Sequence, residues 1–287
     1  MRRLGLSLLV ALGLGACGGP ARPPAPAVPF RAATVGDALL ARLPRGADLV
    51  AELDLARLRA NPTVGAAVAA LVDGAVAPAG LPSGAEATGA LLRGAAAVAL
   101  AAYRVGTPAA STVTVVRGGA RPAQALALGD DVWALADEGM TAAVLGAAGG
   151  PQVLDDRALA LIRAAPMPAG ADGAAIRVAA RLDADGAAAV GAALGLAIRP
   201  RAIAAWLDVA DDLAVVVWLD GVSPAAATAL RDRLAALAPV RALGLGPAVA
   251  QAQISAHAGA VTATVVIGPR RLARAVARWQ ARAEAPP

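Results

Sequence analysis

The sequence predicts an α+β fold made of two similar repeats, each a small antiparallel or mixed sheet with helices packed on one face. Three observations predict it. Apolar runs of strand length alternate with helix-patterned stretches, in the same order in both halves of the 287-residue chain. A matching opening, Pro44-Arg45-Gly46-Ala47-Asp48 and Pro168-Ala169-Gly170-Ala171-Asp172, heads each series. The composition, 58% hydrophobic and 16% charged, is that of a packed chain rather than a disordered one.

In the first half, the opening leads into a strand-like run over 49–55. Asn61 then offers an N-cap and Pro62 a first helical position, followed by Val64, Val68 and Leu71 at i, i+4, i+7. Buried-looking strands over 95–103 and 111–116 come next. A hairpin is expected from 132–136, turning through Asp137-Glu138-Gly139 into 141–145, and Gly146 precedes a helix over 155–165. In the second half, the run 174–182 leads into an alanine-rich helical stretch over 184–197, then a strand over 213–219. Ser223 and Pro224 start an additional helix with Leu230, Leu234 and Leu237 on one stripe. A second hairpin is expected from 252–256, turning near Gly259 into 261–267, and Gly268 precedes a helix over 270–283. These limits give the domain reading: 1–16 a signal peptide, 17–35 a tether, 36–165 the first repeat and 166–287 the second.

The first sixteen residues have the form of an export signal. Arg2 and Arg3 form a positive start, and Leu4 to Leu14 an apolar stretch of about 16 Å as helix, short of the roughly 30 Å hydrocarbon core. No later apolar run approaches the length of a span. The signal ends in Leu14-Gly15-Ala16-Cys17, and Cys17 is the one cysteine of the chain. This segment resembles the lipobox of bacterial lipoproteins. The resemblance implies recognition of Leu14, Gly15 and Ala16 by the signal peptidase, cleavage before Cys17, and acylation of Cys17 with diacylglycerol and a further fatty acid such as palmitate. Two or more acyl chains anchor a protein stably. With Gly18 rather than aspartate after the cysteine, the resemblance implies an outer-membrane lipoprotein facing the periplasm. Gly18 to Pro29 contains five prolines and predicts an extended, semi-rigid tether of roughly 37 Å.

Little in the chain carries chemistry. One cysteine excludes a disulfide framework or a cysteine-built metal cluster, and His257, the one histidine, excludes a multi-histidine metal site. His257 alternates with Ser255 on the polar face of a strand. Two residues apart along a strand is too far for a nucleophile–base hydrogen bond. The aspartate pairs Asp130-Asp131, Asp155-Asp156 and Asp211-Asp212, and Asp183 with Asp185, stand at helix starts and turns, where carboxylates cap and solvate. No cofactor is expected. Trp133, Trp206 and Trp218 are expected as core plugs, in a chain with six aromatic side chains.

The last helix is different. Arg270, Arg274, Arg278 and Arg282 stand four apart as a basic stripe opposite Leu272, Val276 and Trp279. Such a helix can meet an acidic partner or anionic lipid, so the stripe is the candidate interaction surface. Nucleic acid is not expected as a partner, because export removes the chain from it and no stacking aromatics accompany the arginines.

Leu43-Pro44-Arg45-Gly46-Ala47-Asp48, continuing through the run 50–58 to Arg59, resembles the opening of uncharacterised two-repeat exported proteins of high-GC Gram-negative bacteria. That resemblance implies no activity. The function expected is a non-enzymatic, lipid-anchored envelope scaffold or interaction module, with membrane lipid through acylated Cys17 and an envelope protein as partners. The alternative is a periplasmic module binding a small apolar ligand between the two repeats.

Overall fold

A computed structural model describes residues 35–72, 92–129, 131–168, 171, 173–210, 212–257 and 259–283. Leu14, Gly15, Ala16, Cys17 and the proline-rich tether lie outside the described residues. The fold is α+β, built on one antiparallel sheet of ten strands in the order β4-β5-β3-β2-β1-β6-β7-β8-β10-β9. The strands are β1 Leu49–Asp54, β2 Ala95–Tyr103, β3 Ser111–Gly118, β4 Leu126–Ala127, β5 Val132–Ala136, β6 Ile176–Arg181, β7 Ala202–Val209, β8 Leu213–Asp220, β9 Gln253–His257 and β10 Ala260–Ile267. The helices are α1 Val35–Leu40, α2 Leu55–Ala60, α3 Gly65–Val72, α4 Thr141–Gly146, α5 Arg157–Ala164, α6 Ala184–Leu194, α7 Ala226–Ala236, α8 Ala238–Ala242, α9 Gly246–Val249 and α10 Pro269–Ala283. Among the described residues, no helix is long and apolar enough to cross a membrane.

Two small sheets were the expectation, and one continuous sheet is found. At its centre β1 pairs antiparallel with β6, Leu49 opposite Ala180 through Leu53 opposite Ile176. The halves are also tied by side chains. Buried Asn61 ends α2, and its Oδ1 holds the turn into α3 by accepting from Thr63 and Val64 N–H at 2.9 and 3.0 Å. Its Nδ2 donates to the carbonyl of Ala210 at 2.6 Å.

Helices cover both faces, not the single face expected. Side chains alternate across a strand, and several strands here are apolar at both parities. One face carries Val50, Ala97, Ala99, Ala101, Val113 and Val115 beneath Leu39 and Leu40 of α1, Val144 of α4 and Leu159 of α5. The other carries Val178, Val215, Val261 and Val265 beneath Leu55 and Leu58 of α2, Val190 and Leu194 of α6, Leu230 and Leu234 of α7, and Leu272 and Ala275 of α10.

Two further elements depart from the expectation. Thr141–Gly146 is helix α4 rather than a hairpin strand, and β5 takes its hairpin partner from upstream, Leu126 opposite Ala134. β7 forms from an alanine-rich stretch that the pattern did not mark as a strand. The β9–β10 hairpin forms as expected, with Gly259 at φ +80° in its turn. Asp156 and Asp183 cap α5 and α6, accepting from Leu159 N at 3.2 Å and Gly186 N at 2.7 Å.

Tyr103, the one tyrosine of the chain, is buried at the end of β2 and donates its hydroxyl to the carbonyl of Pro44 at 2.8 Å. Burial pushes its phenol above the ordinary tyrosine range. The raised folded value places the linked stability below the unfolded tyrosine pKa of about 10, with loss as pH rises beyond it toward the folded value. Tyrosinate absorbance should therefore rise only together with loss of near-ultraviolet circular dichroism. Ionisation near the ordinary pKa in a protein still fully folded would contradict the burial of Tyr103.

Candidate functional site

The structure brings three of the four predicted arginines to one exposed face. Arg270, Arg274 and Arg278 stand exposed on α10, while Leu272 and Ala275 are buried beneath and Val276 and Trp279 are half-buried. Arg282 belongs to the same helix by its backbone. The Nε of Arg274 donates to the carbonyl of Arg270 at 3.3 Å. Arg278 lies across Gly244, whose φ of +72° and close approach leave no room for a Cβ. Among the described residues, no salt bridge engages Arg270, Arg274 or Arg278.

Elsewhere the predicted residues sit apart. Ser255 and His257 are exposed on the outermost strand, β9. Trp133 is 2% exposed and donates its indole N–H to Gly118 O at 3.0 Å. Trp206 is 6% exposed and donates to Gly173 O at 2.9 Å, while Trp218 is half-buried. A shallow groove of about 260 Å³ lies over Thr112, Thr114, Val116, Trp133 and Leu135 on the flank of the first half. Among the described residues, no group of three His, Cys, Asp or Glu side chains is placed to hold a metal ion.

The densest chemistry is a charge cluster that pattern reading missed. Glu52 of β1 stands directly opposite Arg177 of β6 at the centre of the sheet. Arg163 reaches this point from α5, and Asp37 from α1. All four are buried. The Arg163 guanidinium donates from Nε to Glu52 Oε1, from Nη2 to Glu52 Oε2 at 2.8 Å, and from Nη2 to Asp37 Oδ1. Such a fork matches carboxylate geometry and gives charge-assisted hydrogen bonds. Gly36 makes the cluster possible, because a Cβ there would collide with the Glu52 carboxylate.

Burial alone would lower the Arg163 pKa. The hydrogen bonds and charges of Glu52 and Asp37 outweigh it and hold the value above the ordinary one. Arg177 is the reverse case. Burial lowers its pKa, the Arg163 charge adds to the lowering, and Glu52 and Asp37 offset only part of it. Its Nε is buried with no hydrogen-bond partner among the described residues.

Beside the cluster lies a pocket of about 200 Å³, lined by Val35, Glu52, Asp54, Arg57, Ala174 and Arg177. Two of its charged groups are engaged on other bonds. Asp54 accepts from the Arg57 backbone N–H at 2.8 Å as the cap of α2, and Arg57 pairs with Asp208. The signal that pointed here was a charge in the middle of an apolar strand run, Glu52 within 49–55 and Arg177 within 174–182, apart from Asp54 and Arg181 near the ends of those runs. A charge in a two-sided buried strand must find a partner, and its identity is fixed only in three dimensions.

No protein-family model matches the chain, and no curated protein matches it. Among solved structures, two crystal forms of TP0453 are similar, with TM-scores of 0.45 and 0.46 and 9% identity. Each likeness covers 83% of this chain and 96% of that one.

Proposed function

We propose that the protein is a non-enzymatic, lipid-anchored lipoprotein of the cell envelope, held in the outer membrane through acylated Cys17 and facing the periplasm. Its body acts as an interaction module that presents the basic face of α10 to an acidic envelope partner. The observation that carries this reading is the exposure of Arg270, Arg274 and Arg278 without an acidic partner among the described residues, above an apolar stripe that holds the helix on the sheet. A helix docked in this way offers its charge as a fixed, preorganised surface.

The body is also read as two related α+β repeats. Outward from the centre, the first half runs β1, β2, β3, β5, β4 and the second β6, β7, β8, β10, β9, so the two orders correspond strand for strand. Asp54 and Asp183 cap the helix that follows the first strand of each half. An apolar ligand between the halves has less support, because the space at that junction is lined by Glu52, Asp54, Arg57 and Arg177, and Trp206 is packed.

The test is in-cell cross-linking followed by membrane solubilisation and mass spectrometry. The wild-type chain should fractionate with outer membrane and capture one stoichiometric envelope protein, and Arg274→Glu with Arg278→Glu should abolish capture. Cys17→Ala should release the protein from the membrane. Membrane fractionation that survives Cys17→Ala would sink the anchor. Capture indifferent to the charge reversal would sink the α10 surface.

A further inference from the structure

We propose that the pocket at the β1–β6 junction binds a small monoanionic carboxylate, with Arg177 as the residue that anchors it. Arg177 is 7% exposed, and its buried Nε finds no hydrogen-bond partner among the described residues. An unsatisfied buried guanidinium is costly, and native structures supply such groups with partners. The acids that line the cavity are committed elsewhere: Glu52 accepts from Arg163 through both oxygens, and Asp54 caps α2. Arg177 thus lines the cavity without an ion pair to any carboxylate among the described residues.

The rest of the lining narrows the ligand. A carboxylate matches the planar guanidinium fork. Glu52 and Asp54 face the same space, so a second negative charge on the ligand would be repelled at short range. That selects a monoanion over a phosphate dianion. Val35 and Ala174 give the ligand body apolar contact, and about 200 Å³ admits a short aliphatic group rather than a long acyl chain. Burial and the Arg163 charge both disfavour charged Arg177, and the opposite charge of a bound carboxylate would offset them.

Trp206 stands directly opposite Arg177 on β7 and provides the reporter. The experiment titrates the full lipidated protein, in detergent, with sodium butyrate and follows tryptophan fluorescence. Butyramide serves as the neutral isostere, inorganic phosphate as the dianion, and sodium chloride as the ionic-strength control. Butyrate should give a saturable change that butyramide and chloride do not reproduce, with phosphate weaker. Arg177→Gln should weaken butyrate about tenfold or more, as loss of a charge-assisted pair implies. Ala174→Phe fills the pocket and keeps Arg177. It should abolish the response in a protein with an unchanged circular dichroism spectrum, and it decides the matter if Arg177→Gln fails to fold. The proposal is overturned by an unsaturable butyrate response, an equal response to butyramide, affinity that survives Ala174→Phe, or phosphate binding tighter than butyrate.

Discussion

Replacing Arg163 by leucine should remove about 3–5 kcal/mol of folding stability, which can be most of what a domain possesses. The complete cluster, two arginines and two acids, is neutral, and Arg163 bonds both acids, but without Arg163 the carboxylates of Glu52 and Asp37 lose its hydrogen bonds while staying buried. Arg177, opposite Glu52, can recover part of the loss, which places the expected value toward the lower end. Removing the charges together should be far milder, because neutral groups of similar shape carry no stranded charge. Chemical denaturation of Arg163→Leu and of the quadruple variant Asp37→Asn, Glu52→Gln, Arg163→Leu, Arg177→Met checks this directly. If the single variant lost under about 1 kcal/mol, the range of an exposed ion pair, the cluster would be solvated rather than buried.

How far such a cluster could be read from the sequence follows from where its members lie. Arg163 is 111 residues from Glu52 and 126 from Asp37, and nothing local in either segment points across that distance. The strands were legible where apolar runs had strand length, as in β2 and β8, and the basic and apolar faces of α10 were legible as a four-residue spacing of arginine. The β9–β10 hairpin announced itself through Gly259. Alanine obscured the rest. It is the strongest helix former, yet the stretch Ala202-Ile203-Ala204-Ala205 is strand, because pairing with β6 and β8 overrides local preference. Alanine at both parities also hid the two-sided burial of the sheet, and with it the helices on both faces. The fusion of both halves into one sheet rests on the β1–β6 register, which sequence pattern does not encode.

That reliance on small residues gives a second large expected effect, with a sign opposite to the usual one. Exchanging glycine for alanine inside a helix normally gains up to about 1 kcal/mol. Gly191→Ala in α6 should instead lose about 1–3 kcal/mol, in the range of overpacked cores. The chain leaves α6 through Gly195 at φ +62° and folds back, so that the carbonyls of Leu196 and Ile198 lie against Gly191. A Cβ would stand 2.9 Å from Leu196 O and collide with Ile198 O. Both obstacles are backbone, so no rotamer change relieves them. Gly146, the last residue of α4, is the internal comparison. It has right-handed helical geometry at φ −79°, and its Cβ would meet nothing within 4 Å. Gly146→Ala should therefore be neutral or stabilising by up to about 1 kcal/mol, through the unfolded state. Thermal unfolding of the two variants side by side separates the effects. If both shifted stability the same way, close backbone approach at Gly191 would not be what holds α6 against the strand that follows it.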